Sequence, residues 1–360
     1  MIVGVLGAGQ LARMLALAGR PLGLDFAFLS PDPDSCAAAL GRHICADFDD
    51  EAALARLAAD AAVVTYEFEN APLAGARRLG ERVTLLPPAP ALAAAQDRLE
   101  EKRLFRALGV ETPTFVPVDD PARLADAAGR TGYPAVLKTR RMGYDGKGQA
   151  IVRDEADLEP AWTRLGGAPS ILEAFVPYER EVSIVAVRAR DGRTAFYPLC
   201  ENTHRDGILR LSVARPDDPM EAAAQAGARR LLEALDYVGV LALEFFQVGG
   251  RLLANEFAPR VHNSGHWTIE GAECSQFENH LRAIMGWPLG ATDPIGWAAM
   301  VNFIGTLPAA AEVLALPHVH FHDYGKAPRP GRKLGHATVR ADSAEDVARI
   351  VPELLRLASS

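Results

Sequence analysis

The sequence predicts an α/β region at the N-terminus followed by a longer α+β region, and three observations carry this prediction. Short β-branched runs alternate with helical patterns up to about residue 96, which is typical of a parallel sheet flanked by helices. Three prolines (Pro113, Pro117 and Pro121) then punctuate short extended pieces, where a second domain is expected to begin. From Glu181 onward, apolar runs predict antiparallel strands, with a long alanine-rich helix near residues 219–235 between them.

The first hundred residues alternate between strands and helices. IVGVLG is a strand, AGQLARMLALAG has apolar residues at helical spacing, and LDFAFL is a second strand, so together they predict a β-α-β unit. A helix around residues 51–58, the strand AAVVTYEFE, a helix after Pro72 and the strand RVTLL continue the pattern. The alternation stops at PPAP, and we expect the first domain to end near residue 97.

The middle of the chain predicts a small α+β unit. Residues 98–109 form one amphipathic pattern, and the segments YPAVLKT, QAIVR and SILEAFV have strand character. A glycine-rich loop, RRMGYDGKGQ, separates the first two strands, and DEADLEPAW predicts a helix with an acidic first turn. The last 60 residues add the strands AAMVNFIG, VHFHDY and GHATVRA and a closing amphipathic helix.

Composition argues against several classes of function. A net charge of −8 over 360 residues, with no block of consecutive Lys or Arg, gives no basic surface for nucleic acid or anionic lipid. The apolar start reaches Arg13 too early for a secretory signal, and no uncharged apolar run is long enough to span a bilayer. We therefore expect a cytoplasmic protein. The cysteines show no C-x-x-C spacing, which favours reduced thiols: Cys36, Cys45, Cys200 and Cys274.

A glycine turn follows the first predicted strand. GAGQLA at residues 7–12 has G-x-G-x-x-A spacing, and Asp32 lies just beyond the second strand. Such a turn can offer N–H groups to a dinucleotide phosphate while the acid binds a ribose hydroxyl. Many doubly wound domains keep this turn for packing alone. An NAD-dependent oxidoreductase is therefore a hypothesis that rests on the first 35 residues.

A second glycine-rich segment lies between two predicted strands. Lys138 is near the end of the first strand, and MGYDGKGQ at residues 142–149 contains three glycines. A loop of this kind can fold over a polyphosphate and present N–H groups, while Lys138 adds a positive charge. It is not a Walker loop, because no helix with GK[ST] follows. The alternative is a solvated hairpin with incidental basic residues.

Acidic side chains interrupt two later strands. Glu244 lies in VLALEFF, Asn255 and Glu256 lie in LLANEFAP, and the turn QVGGR between them favours a hairpin. The hairpin would bring two carboxylates and an amide together, and buried like charges demand a cation. Oxygen ligands select Mg²⁺, especially Mg²⁺ that bridges nucleotide phosphates. The alternative is one acid in solvent and one in a salt bridge.

Polar residues crowd the segment APRVHNSGHWT. His262 and His266 have the i, i+4 spacing of a zinc pair, but the proline and glycine around them predict a loop. With Arg260 and Asn263, they better suit a polar substrate that carries hydroxyls and a ring amine. Further on, KAPRPGRK at residues 326–333 is either a surface loop or a phosphate clamp, because Arg forks match phosphate oxygens.

Taken together, these segments resemble the ATP-grasp superfamily, and within it the family of 5-(carboxyamino)imidazole ribonucleotide synthases. The resemblance rests on GVLGAGQLARML, GYDGKGQ, FYPLCENTHRDGIL, APRVHNSGHWT and RPGRKLGH, and it runs from about residue 1 to about residue 340. It implies an ATP-grasp fold in three parts. These are a Rossmann-like preATP-grasp domain (1–97), an ATP-grasp domain (98–300) and a small β-rich C-terminal domain (301–360). In the middle domain, residues 113–176 would form a lid and residues 177–300 the larger part with the metal site.

The resemblance also implies a residue set for each ligand. The backbone of residues 173–176 would bind adenine and Glu181 the ribose hydroxyls, and Glu244 and Glu256 would hold Mg²⁺. The implied ATP contacts are Arg98, Lys138, Gly143, Tyr144, Asp145, Gly146, Lys147, Gly148, Gln149, Glu173, Ala174, Phe175, Val176, Glu181, His204, Asn255 and Glu256. The implied contacts of 5-aminoimidazole ribonucleotide are Tyr144, Asp145, Arg260, His262 and Asn263, with Lys326, Arg332 and Lys333 on its phosphate.

The implied reaction is ATP-dependent carboxylation of the exocyclic amine of 5-aminoimidazole ribonucleotide, in purine biosynthesis. Bicarbonate would attack the γ-phosphate to give carboxyphosphate, and the amine would capture this intermediate or the CO₂ released from it. The implied catalytic residues are Lys138, Asp145, Lys147, Arg260 and His262. Asp145, His262 and the departing phosphate are alternatives for the base that removes the amine proton. Lys147 stands where some members carry Arg, and a Lys cannot form the same bidentate contact with bicarbonate.

In this family the glycine turn at residues 7–12 would line the substrate side and bind no NAD. Glu67 and Glu69, at the end of VVTYEFE, are candidates for closing that cleft. The resemblance further implies a homodimer. Three other functions stay open: the NAD-dependent oxidoreductase, a nucleotide-binding scaffold without catalysis, and another ATP-grasp ribonucleotide ligase or carboxylase.

Overall fold

The computed structural model describes residues 1–143 and 146–359. Tyr144 and Asp145, which the sequence predicts as ligand contacts, therefore lie outside the described residues. Within the described ranges, no helix is both long enough and apolar enough to cross a membrane. The predicted fold class is confirmed, because a parallel α/β sheet, a small antiparallel sheet and a large antiparallel sheet follow one another along the chain.

The N-terminal part is a parallel sheet with strand order β3-β2-β1-β4. Its elements are β1 (Ile2–Leu6), α1 (Gln10–Gly19), β2 (Asp25–Ser30), β3 (Arg42–Cys45), α2 (Glu51–Asp60), β4 (Ala61–Tyr66), α3 (Leu73–Gly80) and α4 (Ala89–Ala95). Helix α1 packs on one face and α2 on the other, so the central strands are almost wholly apolar. The run RVTLL, predicted as a strand, contributes only a bridge between Leu85 and Val64 in the described chain. Pro87 and Pro88 follow at once and have no N–H groups to extend a ladder.

Helix α5 (Arg98–Ala107) leads into the small antiparallel sheet, whose strand order is β5-β8-β6-β7. Its elements are β5 (Phe115–Val118), α6 (Leu124–Thr131), β6 (Ala135–Thr139), β7 (Gln149–Val152), α7 (Leu158–Arg164) and β8 (Ser170–Ala174). Strands β6 and β7 form the predicted hairpin, in which Lys138 lies opposite Gln149. Helices α6 and α7 pack on this sheet, and Trp162 of α7 and Leu137 of β6 belong to the same buried cluster.

The large antiparallel sheet has the order β14-β13-β9-β11-β12-β15-β17-β16, with β10 beside β9. Its elements, with the helices between them, are β9 (Arg180–Arg188), β10 (Thr194–Phe196), β11 (Leu199–Arg205), β12 (Ile208–Arg215), α8 (Glu221–Ala234), β13 (Gly239–Val248), β14 (Arg251–Ala258), α9 (Thr268–Gly271), α10 (Gln276–Met285), β15 (Trp297–Ile304), α11 (Ala310–Leu314), β16 (Val319–Asp323), β17 (Lys333–Ala341) and α12 (Ala344–Leu357). The predicted boundary between residues 300 and 301 falls inside β15, so the sheet runs across it. The division into domains stays a prediction.

A single apolar core joins the N-terminal sheet to the large sheet. Phe26 and Leu15 of the first sheet and its helix belong to the same buried cluster as Leu281 of α10 and Val185 of β9. Full burial of a side chain such as Leu281 is worth about 1.5–3 kcal/mol. This core fixes the first sheet against the large one, and therefore fixes the walls of the cleft between them.

Candidate active site

A buried carboxylate holds the predicted phosphate-binding lysine. Lys138 Nζ pairs with Glu173 Oε2, and the other oxygen of Glu173 lies 2.6 Å from Lys102 Nζ. Lys102 also donates to the carbonyl of Ala254 at 3.0 Å. Burial alone would raise the pKa of Glu173, but the two lysines lower it to about 2. The family resemblance assigned the backbone of Glu173 to adenine. In the structure, the side chain of Glu173 pairs with Lys138 and holds it in position.

Lys102 was missed by sequence reasoning, although a signal for it exists. Arg98, Glu101 and Lys102 have the i, i+3, i+4 spacing of one helix face, and in α5 Glu101 and Lys102 are buried. Glu101 accepts the N–H of Phe257 at 2.7 Å, and burial together with the nearby charge of Glu256 raises its pKa to about 8. A run of charged residues on the buried side of a helix indicates a site rather than a core.

The predicted metal carboxylates lie opposite each other. Strands β13 and β14 form the predicted hairpin, with Glu244 opposite Glu256. Burial raises the pKa of Glu244 to about 7, and the charge of Glu256 adds to this effect. Burial would also raise the pKa of Glu256, but Arg98 lowers it, with Arg98 Nη1 donating to Glu256 Oε2 at 2.9 Å. Among the described residues, the buried Oδ1 of Asn255 has no hydrogen-bond partner.

These donors fit a magnesium ion. Oxygen atoms from two carboxylates and an amide match its preference, and a cation would relieve the repulsion that raises the pKa of Glu244. The described chain holds no group of three or more His, Cys, Asp or Glu arranged for a metal. A site with few protein ligands is the usual arrangement for Mg²⁺, which takes its remaining ligands from water and phosphates.

A cavity of about 540 Å³ lies between the β6–β7 hairpin and the large sheet. Most of the predicted ATP contacts line it: Arg98, Lys138, Gly146, Gln149, Glu173, Ala174, Phe175, Val176, Glu181, His204, Asn255 and Glu256. We call it the nucleotide cavity. Gly143 lines the neighbouring cavity, and Lys147 and Gly148 line neither. Gly146 has φ near 75°, and any side chain there would collide with the carbonyl of Asp206 across the cavity.

One end of the nucleotide cavity is apolar and suits a base. Tyr178 stacks on Phe246 with ring centroids 4.9 Å apart, and sequence reasoning missed both residues. Glu181 Oε2 lies 2.7 Å from His204 Nδ1, beside this end. Burial would lower the pKa of His204, but the bond to Glu181 raises it. In the predicted adenine segment, the N–H groups of Ala174 and Phe175 already donate to carbonyls of the protein.

A second cavity, of about 610 Å³, lies between the N-terminal sheet and the large sheet. The predicted residues that line it are Glu67, Glu69, Arg260, His262, Asn263 and Lys333. We call it the substrate cavity. Arg260 Nε donates to Glu69 Oε2 at 2.5 Å. Burial would raise the pKa of Glu69, but Arg260 lowers it to about 2. Gln10 and Leu11 also line it, and they belong to the glycine turn that the resemblance places on the substrate side. Several other lining residues were not predicted, among them Phe68, Asn70, Gln96 and Arg140.

The glycine turn at residues 7–12 is already filled by a carboxylate of the protein. Glu67 accepts the N–H groups of Gly9, at 2.6 Å, and of Leu11 and Ala12, at 3.1 Å each. A dinucleotide phosphate would have to displace this carboxylate from the N-terminus of α1. Burial raises the pKa of Glu67 although its N–H donors oppose the shift. The geometry therefore argues against the NAD hypothesis.

The predicted phosphate clamp is only partly at the substrate cavity. Lys333 lines both cavities, and Lys326 Nζ donates at 2.9 Å to Gln10 Oε1, which lines the substrate cavity. Burial and the nearby charge of Arg332 lower the pKa of Lys326 to about 8. Arg332 donates to the carbonyl of Ala327 at 3.2 Å and lines neither cavity. Arg332 therefore lies beside the predicted phosphate clamp and outside both cavities.

The segment after β14 forms the loop that the sequence predicts. Asn263 and Asn302 exchange amide hydrogen bonds of 3.0 and 2.7 Å, so the amide of Asn263 is held by the C-terminal strand β15. His266 is buried, and its Nδ1 lies 3.3 Å from Gln276 Nε2 inside the protein, which argues against a zinc pair with His262. His262 lines both cavities, and its Nε2 lies 3.5 Å from Glu244 Oε1.

The two cavities share one wall. The described residues that line both are Arg98, Glu244, Glu256, His262, Asn263 and Lys333. We call these residues the shared wall. All of them were predicted, half for the nucleotide and metal and half for the second substrate. A group transferred between two ligands would cross here, among cations, two acids and a histidine.

Models of known families match nearly the whole chain. The ribonucleotide synthetase preATP-grasp domain matches residues 1–96, and the ATP-grasp domain matches residues 103–277. The phosphoribosylaminoimidazole carboxylase C-terminal domain matches residues 298–350. These three matches follow the order that the sequence resemblance implies.

Individual relatives agree with the family models. The N5-carboxyaminoimidazole ribonucleotide synthase of Pseudomonas aeruginosa is 58% identical, with 97% of this chain and 98% of that protein covered. The crystal structure of N5-carboxyaminoimidazole ribonucleotide synthetase from Thermus thermophilus has a TM-score of 0.96 at 58% identity, covering 99% of each chain. The Aspergillus clavatus enzyme in complex with ADP and 5-aminoimidazole ribonucleotide has a TM-score of 0.91 at 29% identity, covering 99% and 98%. The chain therefore belongs to the N5-carboxyaminoimidazole ribonucleotide synthase family and has the ATP-grasp fold of that family.

Proposed function

We propose that the chain is an ATP-dependent carboxylating ligase of purine biosynthesis. It would convert 5-aminoimidazole ribonucleotide, bicarbonate and ATP into N5-carboxyaminoimidazole ribonucleotide, ADP and phosphate. The observation that carries the proposal is the shared wall between two cavities, because it lets a reactive group pass from one ligand to the other without entering bulk water. The names of the relatives support this choice of substrates.

In the nucleotide cavity, adenine would lie against Tyr178 and Phe246, and Glu181 would bind the ribose. A bicarbonate oxygen attacks the γ-phosphate, ADP leaves, and carboxyphosphate forms. Lys138 and Arg98 are the fixed cations that face this transfer, and Glu173 holds Lys138 in place. Magnesium held by Glu244, Glu256 and Asn255 would neutralise phosphate charge.

In the substrate cavity, Arg260, His262 and Asn263 would hold 5-aminoimidazole ribonucleotide, and Lys326, Lys333 and Arg332 would attract its phosphate. The exocyclic amine then captures the carboxyl group at the shared wall. Roles for Tyr144 and Asp145 in this step stay proposals from the sequence. Gly146 lines the nucleotide cavity, and the loop that contains it would keep water from the intermediate.

Three finer properties are also part of this proposal. Magnesium is supported by the fit of the donor set, and cytoplasmic location by the small-molecule substrates of the family. A homodimer is supported by the family resemblance alone, and light scattering of the purified protein tests it.

The test is a measurement of ADP formation with bicarbonate, in the presence and absence of 5-aminoimidazole ribonucleotide, together with chromatographic detection of the carboxylated product. We expect bicarbonate-dependent ADP formation that yields this product. Replacing bicarbonate with formate tests the other ATP-grasp ligases. ATP binding without turnover under all of these conditions would favour a scaffold and contradict the proposal.

A further inference from the structure

Buried polar side chains form a continuous line of hydrogen bonds beneath the shared wall. The Ser212 hydroxyl donates to Asn202 Oδ1 at 2.7 Å, and Asn202 Nδ2 donates to the Ser183 hydroxyl at 2.8 Å. The Ser183 hydroxyl donates to Ser264 Oγ at 2.9 Å. Ser264 Oγ lies 2.9 Å from Nδ1 of His262. We call Ser212, Asn202, Ser183 and Ser264 the polar relay; all four are buried.

The polar relay crosses the cavity face of the large sheet. Ser212 on β12 lies opposite Asn202 on β11, and Ser183 on β9 lies opposite Glu244 on β13. Residues directly opposite in an antiparallel pair point to the same face. Apolar residues are the usual occupants of such positions, because every buried polar atom needs a partner. Here each side chain of the polar relay forms a hydrogen bond with the next one, and the last of them contacts His262 of the shared wall.

The end of the relay determines which ring nitrogen of His262 carries a proton. The backbone N–H of Ser264 points at His262 Nδ1 from 3.3 Å. An amide N–H can only donate, so Nδ1 has to accept. The hydroxyl of Ser264 receives the proton of Ser183, and its own proton is therefore directed to the same nitrogen. A proton on Nδ1 would face the amide donor, so the ring carries its proton on Nε2.

Nε2 is the nitrogen at the shared wall, 3.5 Å from Glu244 Oε1. We propose that the polar relay holds His262 with its proton on Nε2, so that His262 donates a hydrogen bond to the carboxyl group being transferred. It follows that His262 is not the base that removes the amine proton. The identity of the acceptor group rests on the proposed function, whereas the tautomer does not. Ser264 is then a positioning residue.

The Nε2–H tautomer of His262 leaves fewer candidates for the base that removes the amine proton. Both ring nitrogens are committed, Nδ1 as an acceptor within the protein and Nε2 as a donor to the substrate. When the amine nitrogen bonds to the carboxyl carbon of carboxyphosphate, the carbon–oxygen bond to phosphate breaks. The phosphate that leaves carries an additional negative charge and can take the amine proton, which balances the step. Asp145, outside the described residues, is the alternative acceptor.

The direct test is the tautomer of His262 in the unmodified, ligand-free protein. Two-bond ¹H–¹⁵N correlation spectra of histidine-labelled protein distinguish the two neutral forms, and the His262→Gln variant identifies the signal. We expect protonated Nε2 and unprotonated Nδ1. A proton on Nδ1, or a mixture of both forms, overturns the proposal. Because no substrate is present, this result is independent of whether the proposed carboxylation is right.

Two amide substitutions test the role of Nε2 in turnover. The nitrogen of Gln can occupy the position of Nε2, whereas the nitrogen of Asn can occupy only that of Nδ1. We expect His262→Gln to retain at least about tenfold more carboxylation than His262→Asn, since one good hydrogen bond to a charged group is worth about that much. Equal loss in both variants, or more activity in His262→Asn, contradicts the donor role.

Substitutions in the relay separate positioning from stability. Ser264→Ala removes one donor to Nδ1, and we expect kcat for carboxylation to fall about 10- to 100-fold. The KM for ATP should stay within about twofold, because Ser264 does not line the nucleotide cavity. Only the longer amide contact of 3.3 Å then remains at Nδ1, so a mixture of the two tautomers should appear. Ser264→Thr keeps the hydroxyl and should keep the tautomer. Ser212→Ala, at the far end, is the control that lowers stability and leaves the tautomer unchanged.

The same three variants can also contradict the proposal. If Ser264→Ala lowers Tm but keeps both kcat and the Nε2–H signal, the relay is structural and the positioning role is wrong. If Ser264→Ala does not fold, the tautomer of His262 is compared in Ser264→Thr and Ser212→Ala instead, and both variants should keep the proton on Nε2. Loss of the unique tautomer in the threonine variant, or its loss in the far-end control, contradicts the assignment.

Discussion

The chain contains two glycine-rich turns that look alike in sequence and differ in what faces them. In the turn at residues 7–12, the N–H groups at the start of α1 are occupied by the carboxylate of Glu67. In the loop at residues 142–149, Gly146 lines an open cavity with Lys138 below it. The first turn is closed by an anion of the protein itself, and the second is open to an anion from outside. A glycine spacing therefore indicates backbone freedom, and the charge that faces the turn determines its use.

The largest expected effect tests the open turn. Lys138→Ala removes the cation that Glu173 positions, and we expect turnover to fall by at least about 10²- to 10³-fold because charge on the transferred phosphoryl group loses its partner. Steady-state ADP formation measures this. Arg153→Ala is the control, since Arg153 directly follows β7, its side chain is exposed, and its guanidinium lies 3.9 Å from the Asp157 carboxylate. Near-normal turnover in Lys138→Ala would remove the loop from the reaction.

The second prediction concerns the acids that face the open turn. Burial and Glu256 raise the pKa of Glu244 to about 7 in the folded protein. The folded state then holds its proton up to about pH 7 while the unfolded state releases it near its ordinary pKa, so ligand-free stability falls as pH rises through this window. We expect Glu244→Gln to stabilise the ligand-free protein above pH 7 by up to about 3 kcal/mol, and to change little at pH 4.5. Thermal unfolding at both pH values measures this, and an equal effect at both would contradict it.

The third prediction tests the closed turn. Glu67→Gln leaves one carbonyl oxygen to accept the N–H groups that two carboxylate oxygens now bind, and we expect the free energy of unfolding to fall by about 2 kcal/mol. NADH should still not bind, as measured by its fluorescence. Glu81→Ala changes an exposed acid directly after helix α3 of the same N-terminal part and is the control. Tight NADH binding by the Gln variant would mean that Glu67 only masks a dinucleotide site.

The smallest effect concerns where the phosphate of the second substrate lies. If basic residues after β16 attract it, Arg332→Ala should raise the KM for 5-aminoimidazole ribonucleotide by about tenfold, the value of one lost charged contact, and leave the KM for ATP unchanged. Arg329→Ala, in the same loop, is the matched control. An equal rise in both KM values would show that Arg332 acts on the fold, consistent with its position outside both cavities.

Local pattern was enough to predict the hairpins and the side chains they carry. The turn QVGGR predicted that Glu244 and Glu256 would meet, and they are opposite in register. The loop after Lys138 was predicted in the same way, and its Gly146 lines the nucleotide cavity. In both cases the two strands are joined by a short segment, so periodicity and turn chemistry determine the pairing.

Contacts between distant segments could not be predicted in this way. The bond from Glu67 to Gly9 joins residues 58 apart, and the bond from Lys102 to Ala254 joins residues 152 apart. Neither partner is marked by a local pattern that names the other. The resemblance to a family supplied the ligand sets, but it assigned residue 173 to adenine and Arg332 to the clamp. The side-chain contacts give Glu173 a second role, and they leave Arg332 beside the cavity.

The bond between Lys326 and Gln10 joins residues 316 apart and has a consequence for synthesis of the protein. The ribosome synthesises the side of the substrate cavity that contains Gln10 first, and the side that contains Lys326 almost last. A nascent or proteolysed chain that ends before residue 326 has the strands with Glu244 and Glu256 and lacks the lysine that contacts α1. We expect such a fragment to bind nucleotide at best and to form no carboxylated product, so only the finished polypeptide couples the nucleotide cavity to the substrate cavity.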